Sequence, residues 1–242
     1  MSTLTNLIQE ENFKFVSLPG SDPDPKYLEY YNSAYECWYK VWSEAYKELD
    51  VNKRLHSDDF TRQTEINCVF YGSKCIALLF LKWADFKADA TKNDSYFKLW
   101  TDNEFEQLTK YGPEVIIISN TTVAKEWRGT QSKLSIKDLV LYFTIRRFLT
   151  SSSPAMTAVT RNARGVDKLI ERFGAVMFKE NVPNFNDKDL VNLGAFYKKD
   201  MTDGTDPVVA EIGKRLWDKM IVVPRTKFVI PAEEETLQKI AV

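Results

Sequence analysis

Residues 115–134 hold the pattern in this sequence best suited to chemistry. An apolar run, Val115-Ile-Ile-Ile118, continues through Ser119-Asn-Thr-Thr-Val123 into a turn carrying Trp127-Arg128-Gly129, and polar residues then open a helix near Ser132. The first amides of a helix have no partner within it, and its dipole favours an anion there. A pyrophosphate can therefore dock on the amides of 129–134, helped by Arg128, Lys133 and Lys137. Most strand–turn–helix units are plain connections, so this pattern alone assigns nothing. Other chemistries have less support. His56 is the single histidine, which excludes a zinc site built on two imidazoles. Cys37 with His56 would make a thiol nucleophile and base, but Cys37 falls mid-helix among Tyr35, Trp38 and Trp42, the usual setting of an inert thiol. Cys37, Cys68 and Cys75 show no metal-ligand spacing, so no metal is expected. Neither G-x-G-x-x-G nor a Walker loop occurs, which sets aside dehydrogenase and phosphotransferase chemistry.

Such a turn needs a sheet behind it and helices around it, and hydrophobic periodicity supplies both. Residues 13–18 read as a strand ended by Pro19-Gly20. Asp24 before Pro25 marks a helix start. Tyr27, Tyr31, Ala34, Trp38, Val41, Trp42 and Ala45 then share one face of a helix over about 25–49. Tyr30, Tyr35, Tyr39 and Tyr46 widen that stripe, which fits a broadly buried helix or an aromatic wall along a ligand cleft. Residues 57–62 suggest a short capped turn. Strands over 65–71 and 74–83 are joined by Gly72-Ser73, a type II′ hairpin signature that sets Cys68 opposite Ala77 and leaves Cys75 too far away for a disulfide.

Residues 84–112 form an insertion with a helix over 97–110 before Gly112-Pro113. The strand over 115–123 leads into a helix over 132–151 through Ile136, Leu139, Val140, Phe143 and Arg147. A strand over 155–160 follows, then a helix on Val166, Leu169, Ile170 and Phe173 stopped by Gly174. Strands over 176–178 and 195–198, a helix over 207–219, and extended segments at 222–223 and 228–230 complete the chain. This order predicts an α/β (α+β) fold, a mixed sheet flanked by helices, in a single domain over 1–242 with an extension at 200–242. The connecting helix implies that 115–123 and 155–160 run parallel.

The chain has 242 residues, with 33 Lys+Arg against 34 Asp+Glu, 44% hydrophobic and 13% aromatic residues. That composition excludes disorder and collagen-like repeats, and the charge balance gives no footprint for nucleic acid. No apolar run approaches the ~18 residues needed to span a bilayer. Residues 1–10 lack the basic and apolar regions of a signal peptide, so the cytoplasm is the expected compartment.

Thr-Val-Ala-Lys-Glu-Trp-Arg-Gly over 122–129, with the helix after it, resembles the acyl-donor motif of the GNAT superfamily of acyltransferases. Ala-Val-Thr-Arg-Asn over 158–162 and Lys-Leu-Ile-Glu-Arg-Phe-Gly-Ala over 168–175 resemble its next strand and helix. The likeness covers about 13–198. It implies a centrally splayed GNAT-like sheet and a donor site on Val123, Arg128, Gly129, Thr130, Gln131, Ser132, Lys133 and Asn162. Val123 would supply the backbone N–H that stabilises the oxyanion. Gln131 and Lys133 stand where the superfamily carries small residues. Its frequent glutamate base would fall near Ser119 or Asn120, and its tyrosine acid near Ile170. Water held by Ser119 and Asn120 would then relay the amine proton, and Tyr197 would protonate the leaving thiolate.

The helical insertion before the central strand suits the branch that includes acyl-homoserine-lactone and long-chain N-acyl amino acid synthases. Leu139, Phe143, Met156 and Ala158, all apolar, would line a long acyl chain. The implied activity is N-acyl transfer from acyl-CoA or an acyl carrier protein (acyl-phosphopantetheine) to a small-molecule or amino acid amine, with no tightly bound cofactor. The competing reading is a non-catalytic GNAT-like protein that binds an acyl group or a protein partner.

Overall fold

The computed structural model describes residues 10–49, 54–129, 134–162 and 165–226. The β-branched and aromatic runs form one eight-stranded sheet. Its strands are β1 (Phe13–Leu18), β2 (Glu65–Tyr71), β3 (Lys74–Asp85), β4 (Glu114–Val123), β5 (Ala155–Arg161), β6 (Val176–Pro183), β7 (Leu190–Tyr197) and β8 (Ile221–Val222). They lie in the order β6-β7-β5-β4-β3-β2-β1-β8. β4 and β5 are parallel, as the crossover requires, and β8 runs parallel to β1.

Two helices cover opposite faces of this sheet. The first, α1 (Leu28–Glu48), buries Ala34 and Trp38 against Val16, Leu18, Phe70 and Phe80. The second, α4 (Ile136–Thr150), packs Leu139, Phe143 and Phe148 on Phe15, Leu79, Ile116 and Met156. Nine residues of α4 are buried, on all sides, because α6 (Pro207–Asp218) lies over its outer surface. Gly213 permits that approach, since a Cβ there would stand 2.5 Å from the Tyr142 ring. The expected one-sided amphipathic helix is thus a helix sandwiched between sheet and α6.

Several boundaries differ from expectation. α4 starts at Ile136, where the Ser135 hydroxyl accepts from the Asp138 amide, and not near Ser132. Between β3 and β4 the predicted helix over 97–110 shrinks to α3 (Asp102–Leu108), whose first turn is fixed by a reciprocal Thr101–Glu104 capping box. The hairpin turn holds, with Gly72 at φ 64°. A bulge between Val69 and Phe70 shifts the register, so Cys68 faces Leu78 instead of Ala77. β6 and β7 are longer than expected, and β7 ends at Tyr197. Two further α-helices are short, α2 (Asp58–Thr61) and α5 (Val166–Glu171). The 228–230 segment lies outside the described residues.

Candidate active site

β4 and β5 are paired only from Val115↔Ala155 to Ile118↔Ala158. Past Ala158 each strand keeps its other neighbour, β3 for β4 and β7 for β5, so the sheet opens at its centre. A bulge on β4 accompanies the opening. Asn120 and Thr121 together oppose Leu79, between the Ser119↔Phe80 and Thr122↔Leu78 pairs. Asn120 takes φ 53°, a left-handed conformation asparagine tolerates better than most side chains. Bulges sharpen local twist, which turns the end of β4 away from β5.

A cavity of about 600 Å³ fills the opening. Ile136 and Leu141 of α4, with Leu169 and Ile170 of α5, wall it on one side, and Val41, Trp42, Glu44, Ala45 and Glu48 of α1 on the other. Successive strand side chains alternate between faces. Ala158 and Thr160 accordingly share the α4 side, while Arg161 lies on the α1 side with its guanidinium carbon 4.9 Å from the Trp42 ring centroid. The cavity crosses the sheet.

Polar contacts fix the α1 side. Trp38 Nε1 donates to Asn120 Oδ1 at 3.3 Å, and Trp42 Nε1 to Thr122 Oγ1 at 3.0 Å. Asn120 Nδ2 donates to Ser119 Oγ at 3.3 Å. Arg161 Nε donates to Asp189 Oδ1 at 2.8 Å, and the Asp189 side chain is only 1% exposed. Phe185, on the β6–β7 connection, packs on Tyr46, and Asn186 Nδ2 donates to the Leu49 carbonyl, so this connection closes against the end of α1. On the α4 side, Thr160 Oγ1 is buried with no hydrogen-bond partner among the described residues, although buried hydroxyls are nearly always paired. Lys137 of α4 and Arg128 of the turn after β4 add cations to the lining, and Glu44 and Glu48 of α1 add carboxylates.

Of the residues singled out in the sequence, Ser119, Asn120, Val123, Arg128 and Gly129 line the cavity. The Val123 carbonyl accepts from Arg128 Nε at 2.8 Å, which ties the turn to the end of β4. Gly129 takes φ 97°, and a Cβ there would meet nothing within 4 Å. Thr130, Gln131, Ser132 and Lys133 lie outside the described residues. Because α4 starts at Ile136, the amides of 129–134 are not its N-terminus; Lys137 in its first turn does line the cavity.

Asn162 is not among the lining residues. Its Nδ2 donates instead to Asn181 Oδ1 on β6 at 2.7 Å. Tyr197 is corrected outright. It pairs with Ala155, at the far end of β5 from the opening, and its hydroxyl donates to the Gln107 carbonyl at 2.8 Å. Burial pushes that hydroxyl up to about 12, and its seat away from the cavity lining removes it as a proton donor there. Leu139, Phe143 and Met156 are fully buried core, and of the four expected acyl-lining residues only Ala158 reaches the cavity. The Cys37 thiol is pushed far above its ordinary range by its hydrogen bond with Cys75 and by burial, which removes it as a nucleophile. Among the described residues no three His, Cys, Asp or Glu side chains gather to hold a metal, and no helix is long and apolar enough to cross a membrane.

The sequence reading missed Glu44 and Glu48, took Arg161 for a surface ion pair, and gave Thr160 no role although both lie in the 158–162 stretch. For the two glutamates the available signal was spacing: Val41, Glu44, Ala45 and Glu48 stand at i, i+3, i+4 and i+7, so two carboxylates interrupt an otherwise apolar helix face.

Among solved structures, the chain is similar to BjaI, a CoA-dependent acyl-homoserine lactone synthase solved with SAM and isopentyl-CoA. The TM-score is 0.55 at 10% identity, over 88% of this chain and 95% of that one. It is also similar to FeeM, an N-acyl amino acid synthase from uncultured soil microbes, with a TM-score of 0.53 at 8% identity over 82% and 98% of the two chains. The AHL synthase LasI gives 0.50 at 12% identity over 77% and 90%. The chain has the GNAT fold. No family model and no curated protein matches its sequence. The GNAT fold is therefore carried by a sequence whose likeness to these three is confined to 8–12% of aligned positions.

Proposed function

We propose that this protein is an N-acyltransferase that moves an acyl group from a thioester donor to an amine. The observation that carries the reading is the cavity crossing the sheet between β4 and β5. Two substrates approaching from opposite faces would meet at one point inside it. The α4 side, with Lys137 in the first turn of α4 and Arg128 in the turn after β4 among the lining, suits the phosphates of acyl-CoA or of acyl-phosphopantetheine on a carrier protein. The buried Thr160 hydroxyl would bond an amide of the pantetheine arm. The α1 side, with Glu44 and Glu48, suits an amine that arrives as an ammonium.

In the reaction the ammonium first loses a proton, to Glu44 directly or through water held at Ser119 and Asn120. Its lone pair attacks the thioester carbonyl carbon, with the oxyanion facing the backbone N–H near Val123. The C–S bond then breaks, the nitrogen gives up the surplus proton it carries after the attack, and the leaving thiolate takes up that proton, so that amide and free thiol depart. No covalent enzyme intermediate forms. Apolar lining by Ile118, Ile136, Leu141, Ala158, Leu169 and Ile170 favours a medium or long acyl chain, since each buried methylene contributes about 0.8 kcal/mol.

The test is turnover of octanoyl-CoA with a panel of amines, read by free thiol release and by the mass of the amide. Amide formation supports the enzyme. Stoichiometric retention of intact thioester with no amide would instead establish the non-catalytic binder, a reading favoured by the seating of Tyr197 outside the cavity.

A further inference from the structure

We propose that the outer side of α1 is an interaction surface for a second copy of this chain, with the two α1 helices packed antiparallel about a two-fold axis near Cys37 and Trp38. α1 rests on β3 and β4 and fully buries only Ala34 and Trp38 of its 21 residues. Among the described residues no helix lies over it as α6 lies over α4. Two of its large apolar side chains face water, Leu28 at 44% and Tyr39 at 42% exposure. With the half-buried Tyr35 and Tyr46 they form a line along the helix, since steps of 7, 4 and 7 residues keep them on one side. None of these four lines the cavity, so the aromatic stripe of α1 exceeds what the cavity uses.

Beside that line runs a charged one, Glu29, Glu36, Lys40 and Lys47, all exposed and again stepping by 7, 4 and 7 residues. Steps that read the same from either end let a surface match itself across a two-fold axis. The charges change sign about the same centre. In the antiparallel pair Glu29 stands opposite Lys47 of the second copy and Glu36 opposite its Lys40, while Leu28 meets Tyr46 and Tyr35 meets Tyr39. A parallel pair would set every charge against its own kind. Glu36 and Lys40 are one helical turn apart, yet none of the four charges is in an ion pair among the described residues. The helix dipole favours Glu29 in the first turn and Lys47 in the last. It does not account for the exposed leucine and tyrosine beside them, and tyrosine is enriched at interfaces. The contact strip is narrow and about 30 Å long, at the small end of specific interfaces, so the dimer dissociates at micromolar concentration. The residues of α1 that wall the cavity, Val41, Glu44 and Ala45 among them, lie on another side of the helix, and the cavity stays open.

Sedimentation equilibrium of the full-length protein over roughly 1–200 µM is the test. The wild type is expected to pass from the mass of one chain to that of two across this range. Glu36→Lys sets a lysine against Lys40 of the second copy, twice by symmetry, and Lys40→Glu sets a glutamate against Glu36 in the same way. Each variant should self-associate more weakly by roughly tenfold or more. An equimolar mixture of the two variants brings opposite charges together at both positions, so it should form a mixed dimer with close to wild-type affinity. Recovery on mixing distinguishes an interface from a damaged fold. A wild type that stays a single chain throughout overturns the proposal. A fall in Tm on Tyr39→Glu then assigns the face to another segment of the same chain, and an unchanged Tm to a different protein. Unaltered dimerisation in both variants also overturns it, by placing the contact elsewhere. So does a mixture that stays monomeric while circular dichroism shows both variants folded.

Discussion

Thr160 combines two properties that a purely structural threonine would not: its hydroxyl is buried without a partner among the described residues, and its side chain borders the cavity. Thr160→Val keeps the shape and removes the orphan oxygen. Thermal unfolding should show a gain of about 1 kcal/mol, raising Tm by about 2–4 °C, while calorimetry shows octanoyl-CoA binding weakened by about tenfold. Unaltered donor affinity would mean that the hydroxyl meets no ligand. Glu44 has no hydrogen-bond or ion-pair partner among the described residues, which leaves its carboxylate available to a substrate. Glu44→Gln should lower kcat about a hundredfold with little change in KM for the acyl donor, the size expected for loss of a positioned base; a kcat within twofold of wild type assigns the proton to water alone. Residues on β4 and in the turn after it were legible in the sequence because strand, turn and helix are adjacent in the chain. Glu44 and Arg161 were not, because a charge on a helix or strand reads equally as solvated, and only the tertiary packing of α1 across the opening turns both inwards. Tyr197 failed for the converse reason: its residue type suits acid catalysis, but antiparallel pairing carried it to the wrong end of β5.

Capping and turn chemistry decide the elements around the site. Glu104 accepts from the Thr101 amide and hydroxyl and pairs with Lys179 on β6, tying α3 to the sheet. Burial alone would raise its carboxyl, but the hydrogen bonds from Thr101 and Lys179 outweigh it and hold the group to about 2. A depressed carboxylate stabilises the fold above its ordinary value near 4.5 and loses that contribution as pH falls towards 2. Urea unfolding between pH 6 and pH 2 should therefore show wild-type stability declining through this window. Glu104→Gln should be less stable by about 2 kcal/mol at pH 6 and show a shallower decline; parallel profiles would remove Glu104 as the titrating group. The same local chemistry explains which boundaries the periodicity located. The apolar stripe of α4 is visible from Ile136 onwards, whereas its start depends on which of several serines acts as cap, and Ser135, not Ser132, does so. The β2–β3 turn follows from Gly72, but a bulge one pair further on has no signature in alternating hydrophobicity.

At the scale of the molecule, the parallel arrangement of β4 and β5 was legible from a single crossover helix, because handedness and connection length leave few alternatives, whereas their divergence was expected only from the GNAT resemblance. The size of the opening was not legible, since it depends on the Asn120 bulge and on how far α1 stands off the sheet. Ala158 marks the vertex, paired with Ile118 at the last rung before the strands part. Ala158→Leu fills the opening from within, and kcat/KM across acetyl- to dodecanoyl-CoA should shift towards shorter donors by about fourfold for each methylene excluded. A wild-type preference for acetyl over octanoyl would refute the long-chain reading. The two rims of the sheet have a separate consequence. β8 is two residues long, and β6 breaks register twice, carries Asn181 at φ 57° and ends in Pro183. Short, kinked and proline-terminated rims deny an extended neighbour a straight row of free amides. Among the described residues, templated strand addition, the route by which open sheets recruit further copies into fibrils, finds no regular starting edge.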